Sequence, residues 1–280
     1  DSDSESSIYG LNIGSDSYSS WTSRPFYLSM NSNALHYDRI ENKWKATFND
    51  KGAVRATDYY LSLLQKPWTD TSGKIRYGVG HKGDGWVKFH QGKLAIVFLT
   101  SSDLLMNSNL WIQSKTYDEI GIAKIPSSPL GLSISELYGM NLGISSSIKD
   151  PLVLDACWKF IRFMGSTEAK KIAVDTYVEN GFGRYVLPQV LEKFGYNELI
   201  DKVPSDWAEA VTHSLNNHEL EPYGKNTQHI YKYMDVPISK GYMDQIGKNP
   251  NEEERLLKLQ EYHDFAVAKS NEKMIGRIPA

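Results

Sequence analysis

Cysteine is almost absent from this 280-residue chain. The one residue, Cys157, excludes an internal disulfide and any multi-cysteine metal site. It leaves the compartment open, because many large exported domains dispense with disulfides. Neither sign of charge dominates: 31 Lys and Arg stand against 34 Asp and Glu, a net charge of -3. That balance gives no electrostatic reason to expect a nucleic-acid partner. Long hydrophobic runs are missing too. The longest, residues 94–99 (Leu-Ala-Ile-Val-Phe-Leu), is strand-length, well short of the ~20 residues a membrane span needs. The opening Asp1-Ser2-Asp3-Ser4-Glu5-Ser6-Ser7 is acidic and polar where a secretion signal is basic and then apolar. The chain therefore reads as either cytosolic or a processed or trimmed exported protein.

What the chain does have is the length for one large core or two modest ones, and an aromatic surplus. Tyr and Trp number 17 and 7. After a disordered lead-in over 1–7, the pattern predicts a strand over 8–13 and a helix within 18–30 whose first turns end before Arg24-Pro25. A hairpin with its tip at Glu41-Asn42-Lys43 follows, then a helix over 53–64 and a loop over 66–85. Strands are expected at 94–99, 120–125 and 138–144, with a helix over 104–112. Asp150-Pro151 opens a helix whose Val153, Ala156, Cys157, Phe160, Ile161 and Met164 keep the 3.6-residue period; Cys157 reads as a small core residue of that face. Ser166 caps another helix reaching about residue 178. Further helices are expected over 187–195, 205–216, 226–234, 238–246 and 252–270. Strands alternating with helices early, and helices dominating late, specify an α/β fold with a helix-rich C-terminal half.

The chemical motifs are weak. Gly78-Val79-Gly80-His81-Lys82-Gly83 matches a phosphate-binding glycine pattern, but Asp84-Gly85-Trp86 is poor material for the helix that pattern must open, so it reads as loop. The histidines lack tight metal-ligand spacing; His213 and His218, five apart, share no helix face well. Gly143-Ile144-Ser145-Ser146-Ser147 fails as a nucleophile elbow at its last position. No cofactor and no catalytic constellation is indicated. Aromatics in loops and near turns remain, among them Tyr18, Trp21, Trp68, Trp86, Tyr138, Tyr223 and Tyr231. Such rings stack on the apolar faces of sugars while short polar side chains bond the hydroxyls.

Three segments in order carry a resemblance. Phe89-His90-Gln91-Gly92-Lys93-Leu94-Ala95-Ile96-Val97 is similar to an "F-x-x-G-K-x-A-M" strand entry, and Ile120-Gly121-Ile122-Ala123-Lys124-Ile125-Pro126 to a "Y-G-V-x-x-L-P" strand and turn. Gly143-Ile144-Ser145 through Lys149-Asp150-Pro151 to Trp158-Lys159-Phe160-Ile161-Arg162-Phe163 resembles "G-I-S-x-x-S-K-N-P-E…A-W-K-F-I-x-F". These motifs resemble the extracellular solute-binding proteins of ABC importers, family 1, the sugar-binding, maltose-binding-protein-like group. The resemblance implies a type II periplasmic-binding-protein lobe: a sheet flanked by helices. Residues 8–142 would be the first part of the C-terminal lobe, 143–195 a segment that completes the N-terminal lobe, and 196–280 the helical remainder and tail. The chain would then be a C-terminal lobe fragment.

The implied function is non-catalytic: a receptor for a mono- or oligosaccharide, extracellular or periplasmic, anchored as a lipoprotein through an absent segment, and delivering ligand to ABC permease subunits. Its partners would include the missing N-terminal lobe and no nucleic acid. Implied ligand-binding residues are Tyr18, Trp21, Ser101, Ser102, Asp103, Tyr138 and Tyr231. The alternatives are a glycan-processing enzyme, which needs paired carboxylates at a cleft, and a sensory or interaction domain on the same fold.

Overall fold

The computed structural model describes residues 9–14, 19–76, 85–98, 120–139, 141–222 and 227–275. The chain divides into two units, one of residues 1–120, 125–136 and 217–280, the other of residues 121–124 and 137–216.

In unit one, strand β1 (Tyr9–Asn12) is followed by helix α1 (Ser19–Ser29), the hairpin strands β2 (Leu35–Asp38) and β3 (Lys43–Ala46), and helix α2 (Lys51–Gln65). A small hairpin, β4 (Trp68–Thr69) with β5 (Ile75–Arg76), helix α3 (Gly85–His90) and strand β6 (Leu94–Val97) complete this stretch. β1 and β6 pair in parallel with Leu11 opposite Ile96, a crossover joining distant parts of the chain. β2 and β3 form the expected antiparallel hairpin. Asn42 takes the left-handed conformation there, φ 51°, one of the few non-glycine residues suited to it. Asp50 accepts from the Ala53 amide at 2.8 Å and so caps α2.

The chain returns to unit one through β8 (His218–Leu220), which pairs with β7 (Ser135–Leu137), and ends in helices α8 (Ile230–Met243) and α9 (Glu252–Ile275). The core lies where α1, α2, α8 and α9 meet, with Tyr27, Phe48, Tyr60, Leu61, Ile230, Met234, Ile238 and Leu259 at most 1% exposed. Gly241 admits that packing: a Cβ there would lie 2.5 Å from Leu61 Cδ1. A bidentate Arg255–Asp58 pair, at 2.7 and 3.0 Å, ties α9 to α2.

Unit two contains α4 (Pro151–Met164), α5 (Thr167–Glu179), α6 (Pro188–Phe194) and α7 (Ser205–Asn216). The caps fall as the sequence specifies. Asp150 accepts from the Leu152 amide at 2.8 Å and Ser166 from the Ala169 amide at 3.1 Å. Its small core gathers Val174, Val186 and Leu191.

Several expectations need correction. α1 and α8 run unbroken through Pro25 and Pro237, where breaks were expected. The cost of an interior proline, ~3 kcal/mol, is offset by the burial of the residues on either side: Ser23, Arg24, Tyr27 and Leu28 in α1, Met234 and Ile238 in α8. Residues 120–125 form no strand; the Ile122 amide donates instead to the Asp206 carboxylate at 3.0 Å, so a side chain takes the place of a ladder partner. The strand expected over 138–144 lies earlier, at β7, and 66–85 includes the β4–β5 hairpin. Cys157 does not join a core: no residue of α4 is buried, and Leu152, Val153, Trp158 and Phe160 are exposed. The glycine motif over 78–83 and the helix over 104–112 lie outside the described residues.

Candidate functional site

The site begins at the first turn of α1. Asp235, from α8, accepts from the Ser20 amide at 2.7 Å and from Ser19 Oγ at 3.0 Å. A carboxylate at that end satisfies an otherwise unpaired amide and complements the helix dipole. It also fixes the start of α1 against α8, four residues along from Tyr231. The consequence is an aromatic pair: the Trp21 and Tyr231 rings are stacked with centroids 4.7 Å apart and planes 1° from parallel. Trp21 stays 40% exposed in that arrangement.

Trp21 and Arg24 stand three apart on α1 and so share a face. Arg24 is 2% exposed. Its Nε lies 2.6 Å from Glu136 Oε1, and its Nη2 donates to the Leu220 carbonyl at 2.9 Å. Glu136 is brought to it by β7, whose approach is anchored to the far end of α1: the Ile134 amide donates to Ser29 Oγ at 3.1 Å and Ser128 Oγ to the Ser29 carbonyl at 2.5 Å. The Tyr231 hydroxyl lies within hydrogen-bond distance of two carboxylates, Glu136 Oε1 at 2.8 Å and Glu221 Oε1 at 3.1 Å.

One hydroxyl proton thus faces two acceptors. Burial, and then the neighbouring Glu136 charge, raise the Tyr231 phenol well above its ordinary range, so it remains a donor at any physiological pH. Burial also raises the Glu136 carboxyl above the usual carboxylate value, while Arg24 and the Tyr231 hydrogen bond pull it back. Glu136 and Glu221 converge on one hydroxyl, but the Glu136 oxygen is held by Arg24 and Tyr231 as a fixed acceptor. The arrangement offers an indole face beside a partly exposed carboxylate, which suits a ring with one apolar face and hydroxyls at its edge.

Of the residues expected from sequence, Trp21 and Tyr231 meet. Tyr138 belongs to unit two and is 41% exposed. Tyr18, Ser101, Ser102 and Asp103 lie outside the described residues. Arg24, Glu136, Glu221 and Asp235 were not singled out by the sequence. Arg24 follows Trp21 by one helical turn, which is a usable signal. Glu136 and Asp235 carry none, since their partners on α1 lie more than a hundred residues away, and Glu221 meets the Tyr231 hydroxyl with no pattern in the sequence to mark it.

No protein-family profile matches the chain, and no curated protein matches it in sequence. Solved structures do. The chain is similar to an ABC transporter solute-binding protein from Thermotoga lettingae TMO bound with α-D-tagatose, at TM-score 0.65 and 15% identity, over 95% of this chain and 60% of that one. It is similar to the sugar-binding protein MalE of Xanthomonas citri at TM-score 0.60 and 16% identity, over 94% and 59%. The GacH receptor of Streptomyces glaucescens, solved unliganded and with acarbose, gives TM-score 0.57 and 16% identity, over 93% and 60%. The chain spans about three-fifths of the length of these structures. Its fold is the helix-rich α/β fold of periplasmic binding proteins.

Proposed function

We propose that this chain is the ligand-contacting part of a carbohydrate receptor that works outside the membrane and passes its ligand to an ABC permease. The observation that carries this reading is the Trp21–Tyr231 stack, a partly exposed indole backed by a second ring and bordered by Glu221, set in a fold whose solved neighbours are sugar-binding receptors. The tagatose and acarbose bound by the neighbours support a saccharide as the ligand. Tyr18, Ser101, Ser102, Asp103 and Tyr138 complete the proposed contact set.

The working receptor includes a further lobe against α4, a reading supported by the exposed apolar face of that helix and by the greater length of the neighbours. Lipoprotein anchoring and extracellular or periplasmic residence belong to the same proposal. Binding without catalysis belongs to the same proposal, supported by neighbours that are named as solute- and sugar-binding proteins.

Saturation-transfer-difference NMR of the 280-residue chain with tagatose, maltose, acarbose and glucose tests the reading. Saturation transfer to at least one saccharide, strongest at ring C–H protons, is the expected result. No transfer to any of them at millimolar concentration would overturn the assignment.

A further inference from the structure

We propose that Glu136 is a positioning residue for the Trp21–Tyr231 platform: one carboxylate oxygen takes both the Arg24 guanidinium and the Tyr231 hydroxyl, and so locks the indole on α1 against the phenol ring on α8. For its relevance to ligand binding this rests on the carbohydrate reading; for its geometry it does not.

Flat stacking of two side chains from separate helices needs both helices in register and both rings fixed about their own axes. α1 is fixed at its start by Asp235 and along its length by Arg24, one turn beyond Trp21. Tyr231 can swing about its side-chain bonds unless its far end is held, and its far end is held by Glu136 at 2.8 Å and Glu221 at 3.1 Å. Glu136 is the member common to both restraints. Its side chain is 7% exposed, so neither bond competes with bulk water. Glu221 touches the hydroxyl alone and is half-buried. Because the Tyr231 proton is already engaged, its hydroxyl has no proton left to donate to a ligand at this point.

Among the described residues, the charged groups facing Glu136 are Arg24 from α1 and Glu221 after β8, with the Tyr231 hydroxyl between the two acids; Asp235, on α8, is occupied by the start of α1. Protonating Glu136 weakens its hold on the guanidinium and makes it compete as a donor for its own partners. The platform is therefore expected to loosen on acidification, in the range above the ordinary carboxylate value to which burial raises Glu136.

The test uses the full chain labelled with 5-fluorotryptophan and read by 19F NMR without saccharide, Trp21 being assigned by its loss in Trp21→Phe. The ring current of Tyr231 displaces the Trp21 resonance, so its shift reports stacking. In wild type the Trp21 line is expected to step as pH falls from 7 to 4. In Glu136→Gln it is expected to be displaced at every pH and the step lost, while the other tryptophan lines keep their shifts; a Glu221→Gln variant should retain the step. Tyr231→Phe keeps the ring and removes only the held hydroxyl, and carries the test if Glu136→Gln does not fold: its Trp21 line should also move and lose the step. A Trp21 line with wild-type shift and pH step in folded Glu136→Gln or in Tyr231→Phe would overturn the proposal. Failure of every saccharide to bind would defeat the carbohydrate reading and leave this result standing.

Discussion

His263 is sealed inside unit one, and its surroundings fix its tautomer. Nδ1 lies 2.6 Å from the Phe48 carbonyl, which can only accept, so Nδ1 carries the proton. Nε2 must then accept, and Thr57 Oγ1 donates to it at 2.8 Å; the Tyr27 hydroxyl in turn donates to Thr57 at 2.8 Å. Every polar atom in the chain Tyr27–Thr57–His263–Phe48 is thereby used. Burial drives the imidazole pKa down to about 4, from about 6.5 when unfolded, against the smaller upward pulls of the Phe48 carbonyl and the Asp264 charge. The sign follows directly: the neutral form is the one that folds, so this contribution is intact above about pH 6.5 and is lost as pH falls toward 4. The loss amounts to about 3 kcal/mol once both states are fully titrated. Urea unfolding of wild type and His263→Asn at pH 7 and pH 4 should show wild type losing about that much more than the variant. Equal losses would mean that His263 is not buried neutral. Thr57→Val should cost about 1–3 kcal/mol at pH 7, since it strands both Nε2 and the Tyr27 hydroxyl; full retention of stability would contradict the network. None of this was legible in the sequence. A histidine in a helical pattern looks the same whether it faces water or the Phe48 carbonyl, and Glu136 and Glu221 were opaque for the same reason.

Helix α4 shows the opposite relation between pattern and packing. Its apolar period and its Asp150 cap were plain in the sequence, and the helix forms where they place it. The periodicity was read as a core face, yet in this chain Leu152 is 81% exposed, Trp158 50% and Phe160 57%. Period reports what a helix is built to bury, not whether a partner is present. Replacing Phe160 with Glu should therefore leave the thermal midpoint nearly unchanged, within about 2 °C, and reduce any concentration-dependent association seen in sedimentation velocity. A loss of about 3–5 kcal/mol, as for a core aromatic, would show that the face is packed. The prolines teach the complementary lesson. Pro25 and Pro237 were read as breaks from local rules, and burial of the surrounding face carried both helices through. The strand expected at 120–125 failed because an apolar run alone supplies no neighbour; a carboxylate, Asp206, took the Ile122 amide.

At the scale of the molecule, the α/β class, the order of elements and the helical C-terminal half were readable from patterning, and the parallel β1–β6 pairing realises two of the expected strands in one sheet. The division into two units came from long-range contacts that a single sequence does not display. Trp21 and Tyr231 were named separately, as aromatics that the resemblance implies bind ligand; that they stack on each other is a property of the folded α1–α8 contact. The role proposed for this stack is that of a saccharide platform. Isothermal titration of wild type and Trp21→Ala with the saccharides that give saturation transfer tests it most directly. Wild type should bind with a dissociation constant weaker than about 1 μM, because part of the enclosing cleft lies on the proposed further lobe. Trp21→Ala should weaken binding by about 1–2 kcal/mol, roughly 5- to 30-fold, with an unchanged thermal midpoint, as expected for an indole that is 40% exposed. Saccharide affinity that survives Trp21→Ala undiminished would contradict the claim.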